Sequence, residues 1–169
     1  MKNREVTIIG GGLAGCEAAY QAVRRGCKVT LYEMKPQRFS PAHESEKLAE
    51  LVCSNSLRSD APDSAVGLLK NEMRRLGSLL MKFADEHNVP AGKALAVDRE
   101  KFALAVTDYI ENEPDITLVR DEVKGLPDTF DHPVILTTGP LTSEKMAESL
   151  ANLAGKKRLF FYIFYLNVK

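Results

Sequence analysis

The chain has 169 residues, of which 44% are hydrophobic and 27% are charged. This length and composition predict one soluble globular domain. The 23 basic and 23 acidic residues give a formal net charge of zero, which excludes a generally basic RNA-binding protein, so an RNA partner would need a local basic patch.

A β-α-β unit is predicted at the start of the chain. Residues 5–9 are a short β-branched run typical of a buried parallel strand. An alanine-rich helix over 13–25 follows and ends at Gly26. A second strand over 28–32 ends at Glu33, which completes the unit.

The middle of the chain is predicted to be mainly helical. A short helix is expected over 45–51, followed by a polar, turn-rich segment over 53–63. Ser64 is a plausible N-cap for a long helix. The apolar face of that helix recurs at spacings of three and four and comprises Val66, Leu69, Met73, Leu76, Leu80, Phe83 and His87.

The remaining elements alternate between helix and strand. Residues 89–97 are predicted to form a loop, and Asp98 is predicted to cap a helix that ends near Tyr109. Strands are expected over 116–119 and 134–137, and Ser143 is expected to cap a helix that ends near Leu153. No apolar run is long enough to span a bilayer, and no signal peptide is recognisable.

The glycines after the first strand match the dinucleotide-binding pattern G-x-G-x-x-G. Gly10 permits the tight turn, Gly12 lets the backbone approach a pyrophosphate, and Gly15 lets the helix pack close to the strand. The pyrophosphate would lie at the helix N-terminus, and Glu33 would accept hydrogen bonds from a ribose diol. The residues predicted to bind the cofactor are Gly10, Gly11, Gly12, Leu13, Ala14, Gly15, Glu33, Thr138 and Gly139.

An acidic residue at position 33 disfavours a nucleotide with a 2′-phosphate, but it does not separate FAD from NAD. The segment 134–140 favours FAD, because it is similar to the late strand-to-glycine step of FAD-binding Rossmann proteins. An ordinary strand and turn would be the alternative interpretation of this segment. FAD is therefore the predicted ligand.

The three cysteines, Cys16, Cys27 and Cys53, include no C-x-x-C pair, which argues against a disulfide scaffold and a zinc site and fits a reducing cytoplasm. Cys16 and Cys27 are interpreted as small core residues. Cys53 lies among hydroxyl, amide and cationic neighbours that can stabilise a thiolate, although the pattern alone favours a buried, unreactive cysteine. Arg58 and Asp60 are interpreted as a solvated pair, and Arg74 as part of a solvated helix face.

Several segments resemble the folate- and FAD-dependent tRNA (uracil-5-)-methyltransferases of bacteria, and the likeness runs from about Val6 to about Phe161. The glycine motif is shared with many flavoproteins, whereas the segments around Cys53 and Asp98 are more specific. The segments that carry the resemblance are 8–19, 51–59, 68–73, 90–99 and 138–143.

This resemblance implies methylation of the T-loop uridine of tRNA at C5, with a one-carbon unit from methylenetetrahydrofolate and reducing equivalents from NAD(P)H. It implies FAD as the cofactor and Cys53 as a catalytic residue that helps to activate the base. A second cysteine of the family has no counterpart in this chain. No metal site, no membrane contact and a cytoplasmic location are expected, and no oligomeric state is predicted.

The sequence therefore predicts an α/β fold: a Rossmann-type FAD-binding domain with a parallel sheet and flanking helices, incomplete at its C-terminus. This domain would span 1–158, with a helical insertion at about 44–112, and an apolar tail would occupy 159–169. The tail departs from the family shortly after Phe161, which indicates a truncation or frame change and an inactive isolated chain. Another flavin oxidoreductase and a non-enzymatic nucleotide-binding remnant are the alternatives.

Overall fold

The computed structural model describes residues 4–127, 129 and 131–154. The helices in this part are Leu13–Val23 (α1), Ala65–Arg75 (α2), Leu79–Glu86 (α3), Arg99–Asn112 (α4) and Glu144–Ala154 (α5). The strands are Arg4–Ile9 (β1), Cys27–Tyr32 (β2), Ser56–Ser59 (β3), Asn88–Val89 (β4), Ala94–Val97 (β5), Ile116–Val119 (β6) and Val134–Leu136 (β7).

Two sheets are present in the described residues. The four-stranded sheet has the order β6-β2-β1-β7, and all its neighbours are parallel. The three-stranded sheet has the order β3-β5-β4 and is antiparallel. The parallel sheet with flanking helices confirms the predicted α/β class. Strand order reverses at β1, which is where open α/β sheets place their ligands.

The hydrophobic core lies between the parallel sheet and the helices α1, α3 and α4. Buried and partly exposed side chains alternate along β2, so Leu31 is fully buried, and β1 ends on two buried residues, Ile8 and Ile9. The ring of Tyr109 on α4 meets Tyr20 and Phe83 edge-on, at centroid distances of 5.5 and 6.3 Å. These contacts hold α3 and α4 against α1 of the first β-α-β unit.

The single long helix predicted through 66–87 is wrong, because the chain breaks at Gly77. Gly77 has a φ of +70°, which ends α2, and the Ser78 side chain accepts a hydrogen bond from Met81 N–H to start α3. Leu69 and Leu76 were predicted on the buried face, but they are 54% and 72% exposed. The apolar spacing therefore belongs to two helices with different faces.

The predicted helix over 45–51 is also wrong, since this segment consists of bends and turns. Its backbone bonds lead away from the segment: Leu48 N–H donates to Thr107 Oγ1 at 2.9 Å, and Ala49 N–H donates to Gly11 O at 2.9 Å. Leu48 is fully buried. Tertiary contacts thus replace the i to i−4 ladder that a helix needs.

Two predicted irregular segments are partly wrong, because they contain most of three short strands. The turn-rich segment over 53–63 contains β3, and the loop predicted over 89–97 contains β5 and the end of β4. Leu95, Ala96 and Val97 of β5 are all buried, and β5 pairs with β3 and β4. A run of four apolar residues is too short for periodicity to separate a strand from a loop. The predicted helical insertion at 44–112 therefore contains a sheet as well as helices.

Other local predictions are confirmed. Ser64 accepts from Gly67 N–H and caps α2, and Asp98 accepts from Lys101 N–H and caps α4. The last helix begins directly after Ser143. The apolar tail at 159–169 lies outside the described residues, so the division at residue 158 stays a prediction.

Candidate nucleotide-binding site

A cavity of about 310 Å³ lies at the carboxyl ends of β1, β2 and β7. This is the edge at which an open parallel sheet binds its ligand. All the predicted cofactor-binding residues except Gly15 line it. Those residues are Gly10, Gly11, Gly12, Leu13, Ala14, Glu33, Thr138 and Gly139.

The glycines of the first turn meet different surroundings. A Cβ at Gly15 would overlap the carbonyl oxygen of Gly10, so this position admits only glycine at the present distance between helix and strand. A Cβ at Gly12 would meet nothing within 4 Å. Gly12 is also the N-cap of α1, so free backbone N–H groups and the positive end of the helix dipole face open space there.

Glu33 lies at the end of β2 and is only 7% exposed. Its two carboxylate oxygens accept from backbone donors, Gly11 N–H at 2.8 Å and Lys35 N–H at 3.0 Å. These bonds hold the carboxylate against the glycine turn. Each oxygen keeps a lone pair that can accept a further hydrogen bond.

Two other carboxylates that line the cavity, Glu50 and Glu122, have cationic partners. Glu50 pairs with Lys35 at 3.0 Å, and Glu122 pairs with Arg38 at 2.6 Å. Burial acts to raise the pKa of Glu50, but bonds from backbone N–H groups and from Lys35 hold it below its usual range. Both pairs reduce the negative potential that would otherwise oppose an anionic ligand.

Ser40 and His43 form a hydrogen-bonded pair on the wall of the same cavity. The Ser40 hydroxyl and His43 Nδ1 are 2.6 Å apart, and Ser40 is buried. Burial lowers the pKa of His43. The pair therefore offers a neutral, polar surface to a ligand near neutral pH.

The segment after β7 closes the site against the first turn. Thr137 Oγ1 donates to Gly10 O at 2.9 Å, and Thr137 N–H donates to Ile9 O at 2.8 Å. Gly139 has a φ of +69°, which turns the chain towards α5. Residues far apart in sequence thus form one rim, as expected for the strand-to-glycine step at 134–140.

The chain matches the family described as glucose inhibited division protein A over residues 5–162. The chain belongs to this family. Among the curated relatives, the methylenetetrahydrofolate--tRNA-(uracil-5-)-methyltransferase TrmFO of Desulfotalea psychrophila is 61% identical over 158 residues, which are 94% of this chain and 36% of that protein. The protein of the same name from Moorella thermoacetica is 58% identical over the same shares of both chains. The predicted resemblance is confirmed, and the chain spans about 36% of the length of these relatives.

Solved structures of the family share the fold. The Aquifex aeolicus GidA structure superposes with a TM-score of 0.63 at 19% identity, over 82% of this chain and 25% of that chain. The GidA-related protein from Thermus thermophilus gives a TM-score of 0.52 at 16% identity, over 89% of this chain and 68% of that chain. In residues 4–127, 129 and 131–154, no helix is long and apolar enough to cross a membrane.

The cysteines of this family member differ in burial. Cys16 is fully buried and donates to Gly11 O at 3.3 Å, and burial, with a contribution from Glu33, raises its pKa to about 12. Cys27 is half-buried, whereas Cys53 is exposed, which overturns the buried position that its pattern favoured. Cys53 does not line the cavity, but its neighbour Val52 does.

Sequence reasoning missed the wall of the site formed by the loop after β2. Lys35, Ser40, His43 and Glu50 line the cavity, yet this loop has no periodicity that would indicate where its side chains point. One sequence signal pointed to this wall. Polar residues are concentrated between the two prolines, at 36 and 41, and the segment that carries Cys53.

Proposed function

We propose that the chain is the FAD-binding part of an enzyme that methylates the T-loop uridine of tRNA at C5. Methylenetetrahydrofolate would supply the one-carbon unit, and NAD(P)H the reducing equivalents. The observation that carries the proposal is the open cradle at Gly12, in a chain that is 61% identical to the Desulfotalea psychrophila methyltransferase over 158 residues.

The residues that line the cavity around Gly12 fit FAD. The open space at Gly12 and the N-terminus of α1 suit a pyrophosphate, and Gly10 to Ala14 provide the backbone around it. Glu33 is held by two backbone N–H groups in a position to accept from a ribose diol. Thr138 and Gly139 would contact the cofactor from the opposite rim.

Bound flavin supplies the redox chemistry that carries a one-carbon unit and hydride equivalents to the base. The chain would supply a nucleophile at the edge of the site. Cys53 is exposed, and Val52 beside it lines the cavity. A thiolate at this position would add to C6 of the uracil ring, which makes C5 nucleophilic towards the one-carbon unit. The C5 proton would pass to solvent, and the thiolate would leave C6 when a hydride equivalent from NAD(P)H reduces the methylene on C5 to methyl.

The proposed setting is the cytoplasm, where unmodified tRNA and reduced pyridine nucleotides are available. Another flavin oxidoreductase and a nucleotide-binding remnant remain as outcomes of the test below. Another flavin oxidoreductase would bind FAD without methylating RNA. A remnant would neither bind FAD nor methylate RNA.

The test compares the 169-residue chain with a joined protein. The joined protein consists of residues 1–158 of this chain followed by the remaining region of the Desulfotalea psychrophila relative. Each is incubated with FAD, and the flavin that stays bound after desalting is measured from its visible spectrum. Unmodified tRNA, NADPH and methylenetetrahydrofolate labelled in its one-carbon unit are then added, and 5-methyluridine is measured by nucleoside mass spectrometry.

We expect bound FAD and labelled 5-methyluridine at the T-loop position with the joined protein. A colourless joined protein that FAD does not reconstitute would contradict the cofactor. A flavoprotein that leaves the T-loop uridine unmodified would contradict the reaction and favour the other flavin oxidoreductase.

A further inference from the structure

Three cations along the β3-β5 strand pair that follows the Cys53 loop have no carboxylate partner in the described part of the chain. They are Arg58 on β3, Lys93 before β5 and Arg99 at the start of α4, and all three are exposed. The ion pairs between described residues involve other cations. In a chain of zero net charge, this group is a local excess of positive charge.

The β3-β5 pair carries the three cations along its length. Asp60 N–H donates to Lys93 O at 2.8 Å, so Lys93 lies across from the end of the strand that carries Arg58. At the other end, Val97 N–H donates to Asn55 O at 2.9 Å. Arg99 follows two residues later.

Arg99 reaches the loop that carries Cys53. Its guanidinium donates to Leu51 O at 3.1 Å, two residues before Cys53. Arg99 also lines an open groove with Ser54 and Asn55, the residues directly after Cys53. The cation and the exposed thiol therefore share one surface.

The nearby carboxylates are already paired. Asp60 was expected to pair with Arg58, but it accepts from both terminal nitrogens of Arg74, at 2.9 and 3.1 Å. Asp98 pairs with Lys101, and Glu100 pairs with Lys47. The positive charge of Arg58 and Arg99 is thus not cancelled by the acidic residues next to them.

Arg58 is held in an unfavourable backbone conformation. Its φ is +66°, which is in the left-handed region that residues other than glycine rarely adopt, and the cost is of the order of 1 kcal/mol. Its N–H donates to Ser56 Oγ at 3.1 Å. Burial lowers the pKa of Lys70, Asp60 acts to raise it, and the charges of Arg74 and Arg58 lower it further. Arg58 therefore lies near other cations. An anion bound at Arg58 would offset the repulsion from the neighbouring cations.

We propose that Arg58, Lys93 and Arg99 hold the phosphate backbone of the RNA substrate beside Cys53. The choice of RNA rests on the proposed function. The four residues of β5 alone separate the backbones of Lys93 and Arg99 by about 13 Å, so the cations are spread along the strand rather than gathered around one point. A nucleic acid strand carries a charge every few ångströms and fits this spacing.

The test measures the affinity of the 169-residue chain and of the joined protein for unmodified tRNA at several salt concentrations. The variants are Arg58→Gln, Lys93→Gln and Arg99→Gln, alone and together. The control is Lys28→Gln, which removes the same charge from an exposed residue at the amino end of β2, away from the cavity. Flavin binding and circular dichroism confirm that each variant folds.

Each single variant is expected to reduce the slope of log K against log salt by about 0.9, which corresponds to about an eightfold loss of affinity at 0.1 M salt. The triple variant is expected to lose several hundredfold, whereas Lys28→Gln retains the wild-type slope. Slopes in the three variants that equal the control would overturn the proposal. Displacement of tRNA by millimolar inorganic phosphate or NADPH would also overturn it, because the cations would then serve a small anion.

The result is separable from the proposed function. A protein that binds tRNA through these cations without forming 5-methyluridine contradicts the reaction but keeps the RNA surface. A protein that methylates tRNA with unchanged salt slopes in all variants keeps the reaction and contradicts the RNA surface.

Discussion

Gly12 and Gly15 belong to the same turn but serve different purposes. Since a Cβ at Gly12 meets nothing within 4 Å, Gly12→Val should fold with a stability loss of about 1 kcal/mol or less. Its side chain would occupy the pyrophosphate position, so we expect no measurable FAD binding by flavin fluorescence titration. Gly15→Ala should instead lose about 1–3 kcal/mol in a denaturant titration, because its Cβ overlaps Gly10 O. Retained flavin affinity in Gly12→Val would show that the pyrophosphate does not bind at Gly12.

Cys53 is the residue at which exposure bears most directly on function. Cys53→Ala in the joined protein should retain bound FAD but lose at least about 100-fold in the rate of 5-methyluridine formation, because no thiol remains to activate the base. Cys27→Ala, at the start of β2 and half-buried, is the matched control and should keep the rate. An unchanged rate in Cys53→Ala would make this cysteine merely structural.

His43 gives the cavity a pH dependence. Burial, together with the nearby Lys35 ammonium, lowers the pKa of His43, while the Glu50 and Glu33 carboxylates act in the opposite direction. The folded pKa is below the ordinary value of about 6.5, so the folded state prefers the neutral ring. This contribution to stability is present above pH 6.5 and is lost as pH falls through the folded pKa. Thermal melts at several pH values should show a smaller loss of stability at acid pH in His43→Gln than in the wild type. His132→Gln is the control, because His132 contacts the Thr7 hydroxyl at 2.7 Å and does not line the cavity.

At the scale of the element, Arg74 joins three parts of the chain. It bonds Asp60 after β3 and Asp85 on α3 from its place on α2, and these bonds raise its pKa. The sequence predicted a solvated arginine there, because the break at Gly77 that brings α3 back towards α2 is not visible in the apolar spacing. An apolar period indicates which residues are buried only when the helix is known to be continuous.

Removing Arg74 should loosen these elements. Arg74→Met breaks two bidentate, partly exposed ion pairs and leaves two carboxylates facing each other, so we expect a loss of about 1–2 kcal/mol in the free energy of unfolding. High salt should reduce this difference. Arg75→Met, at the next position of α2 and exposed, is the control and should change stability by less than about 0.5 kcal/mol. Equal losses in both variants would indicate a general effect of helix composition.

The candidate site was predictable where local geometry dictates residue type. Gly10 and Gly15 are needed wherever a strand turns tightly into a helix at close distance, and Glu33 follows at the end of the next strand. Ser40 and His43 were not predictable, because their position depends on how the loop after β2 folds back on the cavity. Long-range contacts of a loop leave no period in the sequence.

At the scale of the whole molecule, the α/β class followed from one β-α-β unit, but the sheet order did not. β6 and β7 lie on opposite sides of the β1–β2 pair, and the chain passes through α2, α3, α4 and a second sheet before it reaches β6. Single short strands such as β7, with three residues, carry no information on which neighbour they pair with.

The composition of the apolar tail bears on the solubility of the whole chain. Leu159 to Leu166 contains eight consecutive apolar or aromatic residues with no proline and no charge, a composition that promotes intermolecular β-pairing. Phe164→Lys should therefore increase the soluble fraction and reduce the aggregate seen by gel filtration, because a charge interrupts the run. Phe39→Lys is the matched control, since Phe39 is 41% exposed and isolated from this segment in sequence. An equal gain from both substitutions would attribute the effect to net charge rather than to the tail, because either variant moves the chain away from its formal charge of zero.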